Sequence, residues 1–282
     1  MGRTPNWSMG GGLLLALCLS AAASAGTLDD IRARNTVRIA FREDAPPFSF
    51  KDNSGNPAGY MIDVCKLVVG ELAGQLKLSG LSIDYVRVTA ADRLDTVAGG
   101  KADLLCEPTT ETLRRRESLD FSIPTFVDGA GVVSTNGGVS DLKALEGRTV
   151  GVLAGTTTEE ELHTSLQADG VTATVVAVPT HSEGMAALRA RKIAAYFADR
   201  AILVGLLKDE NAGLTLGDVY LTVEPYALAL RRGDEDFRLA VDRALSRIYR
   251  SGDIAPVLRH YFGDNALSRL QTTLYGVSAL PE

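Results

Sequence analysis

The sequence has few of the residues that mark metal-binding, disulfide-rich or nucleic-acid-binding proteins. Its 282 residues include three cysteines, three histidines and one tryptophan. The cysteines, Cys18, Cys65 and Cys106, are too few and too scattered for a zinc site or a disulfide-dense scaffold. Acidic residues outnumber basic ones, 35 to 29, which argues against a nucleic-acid partner bound through its phosphates. The sequence shows no nucleophile motif, phosphate-binding glycine loop or clustered metal ligands, so we expect neither a cofactor nor a metal.

The composition is that of a globular protein. Hydrophobic residues make up 45% of the chain and charged residues 23%, with a mean hydropathy of +0.06. These values exclude a disordered segment and a bundle of membrane helices. The length allows one large domain or two domains of ordinary size.

Residues 1–25 have the pattern of a secretory signal peptide. Arg3 supplies the positive charge, an apolar run follows over 13–23, and Ala23-Ser24-Ala25 is typical of a cleavage site. A buried core helix is the alternative. The run is too short to span a bilayer, and no apolar run of 18 residues follows it. Export to an oxidising compartment would leave Cys65 and Cys106, either as a disulfide or as two buried free thiols.

Short β-branched runs alternate with helical patterns, which predicts βαβ units and mostly parallel sheets. The pattern stops at a turn near 135–138 and then restarts, so two α/β units are expected. A chain that returns from the second unit to the first would form a hinge with a ligand cleft. The predicted strands are 36–40, 82–88, 102–106, 149–153, 172–178 and 193–197, and the predicted helices are 60–72, 91–98, 159–167, 182–191, 199–208, 234–250 and 254–261. The tail over 264–282 is not assigned.

Several segments in this order resemble one family. They are VRIAFREDAPPFSF over 37–50, GYMID over 59–63, TTETLRRRESLDFSIP over 109–124 and LEGRTVGV over 145–152. They are similar to the polar amino acid periplasmic binding proteins, the family 3 solute-binding proteins of ABC transporters. The resemblance implies the type II periplasmic-binding-protein fold, an α/β architecture with two doubly wound lobes joined by a two-strand hinge. Residues 26–128 plus 230–282 would form lobe 1, and 129–229 would form lobe 2.

Thr110 and Arg115 are the first candidate ligand residues. Thr110 is expected at a strand-to-helix turn, where a hydroxyl, free N–H groups and a nearby arginine would form a carboxylate site. The resemblance implies that Arg115 binds the α-carboxylate of the ligand, with Thr110 beside it. Arg114 and Arg116 are expected to be solvated.

Thr156 and Asp199 are candidates from the second unit. Thr156 precedes a predicted helix with acids in its first turn, the pattern of an N-cap whose amides could also hold a carboxylate. Asp199 follows a predicted strand, at the sheet edge where open α/β proteins bind ligands. The resemblance implies that Asp199 takes the ligand ammonium; capping of the next helix is the alternative.

Three further residues bear on the ligand side chain. The glutamate/aspartate-binding branch of the family has arginines at the positions of Arg42 and Arg93, a histidine at that of His181, and a Cys-x-x-Thr-Thr pattern like that of 106–110. A second carboxylate taken out of water needs cationic partners, which the two arginines would supply. For Arg93 the alternative is a surface pair with Asp92 or Asp95, and for His181 a purely structural role.

Three positions depart from that branch. Ala90 and Pro108 stand where serines are usual, and Glu107 replaces a glycine and adds a negative charge near the cleft. Another acidic ligand, an amide such as glutamine, or another dicarboxylate therefore remains open.

The sequence as a whole predicts an exported, periplasmic and monomeric binding protein, not an enzyme. It would capture an acidic or polar L-amino acid, in the first place glutamate or aspartate, and present it to an ABC transporter permease. Two alternatives are a cyclohexadienyl dehydratase-like lyase, with Glu107 or Glu43 as general acid, and a ligand-sensing partner of a membrane receptor.

Overall fold

The computed structural model describes residues 1–2, 26–135, 137–208, 213–264 and 269–282. The predicted signal peptide lies outside these ranges, except for its first two residues. Within them, no helix combines the length and the apolar character needed to cross a membrane.

The first sheet has five strands in the order β5-β1-β6-β15-β7. Strand β1 runs parallel to β5 and β6, whereas β15 is antiparallel to β6 and β7. The strands are β1 Thr36–Arg42, β5 Ser82–Val88, β6 Leu104–Leu105, β7 Leu119–Phe121 and β15 Ala229–Arg231, and the accompanying helices are α1 Thr27–Arg34, α2 Tyr60–Leu76, α3 Arg93–Ala98, α7 Glu235–Ser251 and α8 Ile254–Phe262.

Strand β1 has apolar side chains on both of its faces, and helices cover each face. Val37, Ile39 and Phe41 pack into a core with α2 and α7, while Ala40 packs on the other face with Val97 of α3. Successive side chains of a strand point to opposite faces, so the consecutive apolar residues at 39–41 of β1 fit a strand that is covered on both faces.

The second sheet repeats this arrangement in the order β11-β10-β12-β9-β13. Strand β10 is parallel to β11 and β12, and β9 is antiparallel to β12 and β13. The strands are β9 Ala130–Ser134, β10 Thr149–Leu153, β11 Thr174–Val178, β12 Ala195–Asp199 and β13 Thr215–Leu216, and the helices are α4 Thr157–Ala168, α5 His181–Arg189 and α6 Arg200–Leu207.

The two sheets are connected by a pair of antiparallel strands, β8 Phe126–Asp128 and β14 Glu224–Tyr226. The chain leaves the first sheet through β8 and returns to it through β14, and β15 then begins at Ala229, one residue before the predicted return. This connection between two α/β units confirms the predicted fold class. A small sheet of β2 Asp44–Ala45, β3 Ser49–Lys51 and β4 Pro57–Ala58 completes the described strands.

The C-terminal tail packs on the first lobe through helix α9 Arg269–Ser278. The Tyr275 hydroxyl lies 2.8 Å from that of Tyr60, and its ring packs on Tyr249. The tail, which the sequence pattern leaves unassigned, is therefore part of this lobe's core.

Cys65 of α2 and Cys106, directly after β6, form a disulfide with a Cα–Cα distance of 6.3 Å. The disulfide prediction is confirmed, and the alternative of two free thiols is wrong. The bond joins α2 to the carboxyl end of β6, the end of the first sheet that faces the candidate site.

Candidate functional site

The seven candidate ligand residues line one cavity between the two sheets. They come from separate segments because the carboxyl ends of the parallel strands of both sheets face the cleft. Arg42 is the last residue of β1, Thr156 follows β10, and Asp199 is the last residue of β12. The complete set is Arg42, Arg93, Thr110, Arg115, Thr156, His181 and Asp199.

The cavity is small, with a volume of about 20 Å³. A single water molecule needs roughly 10–15 Å³ by this measure, so the space is too small for an amino acid. Polar groups of the two lobes contact each other directly. The Arg93 guanidinium donates to the Gly155 carbonyl at 3.3 Å, and the Thr110 and Thr157 hydroxyls are 3.3 Å apart. Direct contacts between the lobes therefore leave no room for an amino acid in the cavity of this structure.

Arg115 is held at the cavity by the backbone of Thr110. Its Nη1 donates to the Thr110 carbonyl at 2.7 Å. The predicted helix start after Thr110 is wrong, because the chain forms only a single 3-10 turn at Arg115–Glu117. The cause is a backbone hydrogen bond of 2.9 Å from Glu111 N to Pro225 O, which ties the segment to hinge strand β14. The Arg115 guanidinium, not a helix N-terminus, is the cationic group here.

The neighbouring arginines do not line the cavity. Arg114 is exposed and pairs with Glu160 at 3.0 Å, and Arg116 is exposed and pairs with Glu111. The prediction that both are solvated is confirmed.

Thr156 caps helix α4. Its Oγ1 accepts from Glu159 N at 3.2 Å and donates to the Leu153 carbonyl at 2.8 Å, while the Glu159 carboxylate accepts from Gly155 N at 2.7 Å. Thr156 makes the N-cap half of a capping box, whereas the Glu159 carboxylate binds the amide of Gly155, one residue before the N-cap, instead of the N-cap amide. Gly155 has a φ of +72°, a left-handed conformation that favours glycine. The first turn of α4 thus presents its positive dipole end to the cavity.

Asp199 is surrounded by hydroxyl donors and by other acids. It accepts from Tyr226 Oη at 2.6 Å and from Thr158 Oγ1 at 3.2 Å. Burial, followed by the charges of Glu224 and Asp128, raises the pKa of Asp199 to about 8. The side chain does not cap α6, so the structural alternative is wrong. Because Asp199 is buried next to other acids, a cation beside its carboxylate would be favourable.

Glu224 and Asp128 extend this acidic group along the hinge strands. The Glu224 carboxylate accepts from the hydroxyls of Thr110, Thr157 and Thr222. Asp128 accepts from Ala201 N at 3.0 Å, and burial raises its pKa to about 6. Sequence reasoning missed Glu224, although an acid in an otherwise apolar extended segment over 219–230 is a visible signal.

Arg42 and Arg93 are both 3% exposed, and acids already surround them. Arg42 donates through Nε and Nη2 to Asp44 Oδ1 at 3.0 and 2.8 Å, and its Nη1 lies 3.6 Å from Glu107 Oε2. Arg93 Nε lies 3.2 Å from Glu107 Oε1. Burial lowers the pKa of Arg93, and the charge of Glu107 opposes that shift.

The surface alternative for Arg93 is wrong, because Asp92 instead accepts from the backbone and hydroxyl of Thr89. Glu107 is completely buried and accepts from the Thr109 hydroxyl. The sequence indicated a negative charge near the cleft; the structure places it against both arginines.

His181 begins α5, and its Nδ1 lies 2.9 Å from Tyr196 Oη. The close approach is possible because Gly184 has no side chain: a Cβ there would lie 2.2 Å from the Tyr196 ring. Burial and the charge of Arg42 lower the pKa of His181 to about 3, so the imidazole is neutral. Its Nε2 is buried and has no hydrogen-bond partner among the described residues.

The described residues contain no group of three or more histidine, cysteine or acidic side chains placed to hold a metal ion. The cavity instead combines an arginine and a helix N-terminus with a buried carboxylate. This set of groups can bind a molecule that carries both a carboxylate and an ammonium.

The sequence matches the profile of the bacterial extracellular solute-binding proteins, family 3, over residues 37–264. The chain belongs to this family. It is 28% identical over 257 residues to an L-glutamate/L-aspartate-binding protein of Pseudomonas aeruginosa, and the alignment covers 88% of this chain and 85% of that protein.

Two solved structures of amino acid-binding proteins are also similar to this chain. An ancestral arginine-binding protein bound to glutamine is 27% identical with a TM-score of 0.73, and the match covers 82% of this chain and 99% of that one. The ancestral amino acid-binding protein AncCDT-1, a precursor of cyclohexadienyl dehydratase, is 25% identical with a TM-score of 0.75; that match covers 84% of this chain and 99% of that one.

Proposed function

We propose that the protein captures an acidic or polar L-amino acid in the cleft between its lobes and delivers it to an ABC transporter permease. The observation that carries this proposal is the convergence on one cavity of groups that suit a carboxylate and a group that suits an ammonium. Arg115 and the start of α4 provide the carboxylate-binding end, and Asp199 provides the ammonium-binding end. A free amino acid carries both charges on neighbouring atoms.

Each candidate residue has a role in this proposal. Arg115 binds the α-carboxylate, with Thr110 and Thr156 beside it, and Asp199 binds the ammonium. The side chain of the ligand extends towards a subsite formed by Arg42, Arg93 and His181. Arg93 and His181 carry groups that a ligand could engage, since Arg93 Nη2 donates to the Gly155 carbonyl of the opposite lobe at 3.3 Å and His181 Nε2 has no partner among the described residues.

The family and its relatives support the amino acid class. The Pseudomonas aeruginosa relative is named for glutamate and aspartate, and the two arginines favour the same ligands. The structure of the ancestral arginine-binding protein holds glutamine, so an amide is the alternative.

The cellular setting follows from the same proposal. A signal peptide over 1–25 directs the protein to the periplasm, where it acts as a monomer. Residues 26–128 with 230–282 form one lobe and 129–229 the other, except that Ala229 already belongs to β15 of the first sheet, and the hinge strands let the lobes open and close.

Binding alone is sufficient for this function. A micromolar Kd corresponds to about −8.2 kcal/mol. For glutamate this is about 0.8 kcal/mol per heavy atom, below the ceiling of about 1.5 kcal/mol for small ligands. Charge-assisted hydrogen bonds in a closed cleft can supply that free energy without covalent chemistry.

A lyase is the second candidate, since AncCDT-1 is a precursor of cyclohexadienyl dehydratase. The two acids that the sequence suggests as general acids are poorly placed, because Glu43 pairs with Lys51 and Arg87 at the surface and Glu107 lies behind the arginines. Asp199 is the acid on the cavity that a lyase would use, since its raised pKa keeps it protonated at neutral pH.

The test is a thermal-shift screen of the twenty amino acids and common dicarboxylates, followed by assays with prephenate and arogenate. The proposal predicts a rise in Tm with one or a few polar or acidic amino acids and no product from either substrate. Product formation would identify a lyase, and a screen without any amino acid hit would contradict the proposal.

A further inference from the structure

Glu107 is a buried acid in contact with both arginines of the proposed side-chain subsite. It is 0% exposed, with its two carboxylate oxygens 3.6 Å from Arg42 Nη1 and 3.2 Å from Arg93 Nε. Among the described residues, those that line the cavity include both arginines but not Glu107. The carboxylate thus lies behind the guanidinium groups, where a ligand does not reach it.

Asp44 neutralises Arg42 from a second direction. Its Oδ1 accepts from Arg42 Nε and Nη2, and its Oδ2 accepts from His181 N at 3.3 Å. All three nitrogens of the Arg42 guanidinium therefore face an acid. His181 adds no charge, because its imidazole is neutral. Two cations, Arg42 and Arg93, are balanced by two anions, Asp44 and Glu107.

We propose that Glu107 is a specificity-determining residue that neutralises this subsite, so that the protein binds an L-amino acid with a neutral carboxamide side chain in preference to its carboxylate counterpart. The inference rests on the proposed function and narrows its ligand. The arginines by themselves favour glutamate or aspartate, whereas the arginines together with their two counter-ions favour glutamine or asparagine.

The physical reason is the cost of an unpaired charge. A ligand carboxylate that enters an already neutral, water-excluded subsite adds one uncompensated negative charge close to Glu107. A carboxamide adds no net charge. Its carbonyl oxygen can accept from Arg93, and its NH₂ group can donate to His181 Nε2 when that atom is unprotonated, so the buried ring nitrogen gains a partner.

The experiment compares calorimetric affinities for glutamine, asparagine, glutamate and aspartate. Wild type is expected to bind the better amide at least about tenfold more tightly than the matching acid, because an uncompensated buried charge outweighs the free energy of a tenfold change. Glu107→Gln keeps the shape of the side chain and removes the charge, so the affinity ratio should move at least about tenfold towards the acid.

Two further variants complete the test, one at the other counter-ion and one as a control. Asp44→Asn removes the other counter-ion and should move the ratio in the same direction, even if Glu107→Gln does not fold. Glu43→Gln is the control. It makes the same Glu-to-Gln change as Glu107→Gln, but at the residue next to Asp44. The side chain of Glu43 pairs with Lys51 and Arg87 outside the subsite, so this variant should leave the affinity ratio unchanged.

The outcomes separate the two proposals. Tighter binding of the acid by wild type, or an unchanged ratio in a folded Glu107→Gln protein, overturns the role of Glu107 and leaves the amino acid function standing. Failure of wild type to bind any of the twenty amino acids overturns both.

Discussion

The Tyr226 hydroxyl donates a 2.6 Å hydrogen bond to the Asp199 carboxylate. Tyr226 belongs to hinge strand β14, and Asp199 ends strand β12 of the second sheet. One contact therefore links the hinge to the residue that we propose binds the ligand ammonium. The position of that carboxylate depends on how the lobes are arranged.

Loss of this hydroxyl should weaken both stability and binding. Tyr226→Phe leaves the ring packing on Phe48 intact, at 5.4 Å between centroids, but removes a donor from a buried carboxylate. We expect the free energy of unfolding in urea to fall by about 1 kcal/mol and ligand affinity to fall with it. Tyr249→Phe is the matched control: its hydroxyl donates to the Pro124 carbonyl, away from the cavity. A comparable loss of affinity in the control would show that the effect is general destabilisation.

Asp199 should make the unliganded protein less stable as the pH rises. Its pKa is about 8 in the folded protein against an ordinary value of 3.8, so the folded state binds more protons between these values. The contribution of Asp199 to folding is therefore greatest below about pH 4 and is lost as the pH rises towards 8.

Asp199→Asn should remove this dependence. At pH 8 we expect the variant to be more stable than wild type by roughly 1–3 kcal/mol, with a smaller difference at pH 5, and to lose ligand binding. Urea unfolding at several pH values measures the effect, with the exposed Asp30→Asn as control. A variant less stable than wild type at pH 8 would contradict the pKa argument.

Ligand binding near pH 7 should release a proton. In the unliganded protein Asp199 is mostly protonated at this pH, whereas an ammonium beside it favours the charged carboxylate. We expect close to one proton released per ligand at pH 7 and little release at pH 9. Titration calorimetry in phosphate and Tris, whose ionisation enthalpies differ, measures this number. Equal binding enthalpies in the two buffers at pH 7 would mean that Asp199 is already ionised.

The Cys65–Cys106 disulfide should stabilise the first lobe. It closes a loop with a sequence separation of 41 residues. Replacement of both cysteines by alanine should lower the free energy of unfolding by about 2–4 kcal/mol. Reductant should destabilise wild type to a similar extent and have no effect on the double variant. An equal effect of reductant on both proteins would show that it acts elsewhere.

The order of elements and most of the candidate site could be predicted from the sequence for a physical reason. Strands covered on both faces are apolar along their length, as in 149–153, and the intervening helices show the helical period. Parallel strands bring their carboxyl ends to one edge of a sheet, so Thr156 and Asp199 could be placed together from their positions after strands of the second unit, whereas Arg42 is proposed from the family resemblance.

The parts that could not be predicted depend on contacts distant in the sequence. The segment after Thr110 resembles a helix start, but the bond from Glu111 N to Pro225 O holds it as a loop. The sequence indicates Glu107 only as a negative charge near the cleft and does not single out Asp44, and only the folded chain shows that the two acids share the Arg42 guanidinium. The position of the hinge acid Glu224 likewise could not be predicted, because its carboxylate is held by three threonine hydroxyls that come from both lobes.

The most direct test of the account is calorimetric titration of Arg115→Ala with the best amino acid from the screen, beside wild type and Arg116→Ala. Arg116 is an exposed neighbour of the same kind, outside the cavity, and should not affect binding. We predict saturable binding by wild type and Arg116→Ala and a loss of at least about a hundredfold in Arg115→Ala, equivalent to one buried charge-assisted pair. Full affinity in a folded Arg115→Ala protein would contradict the proposed site.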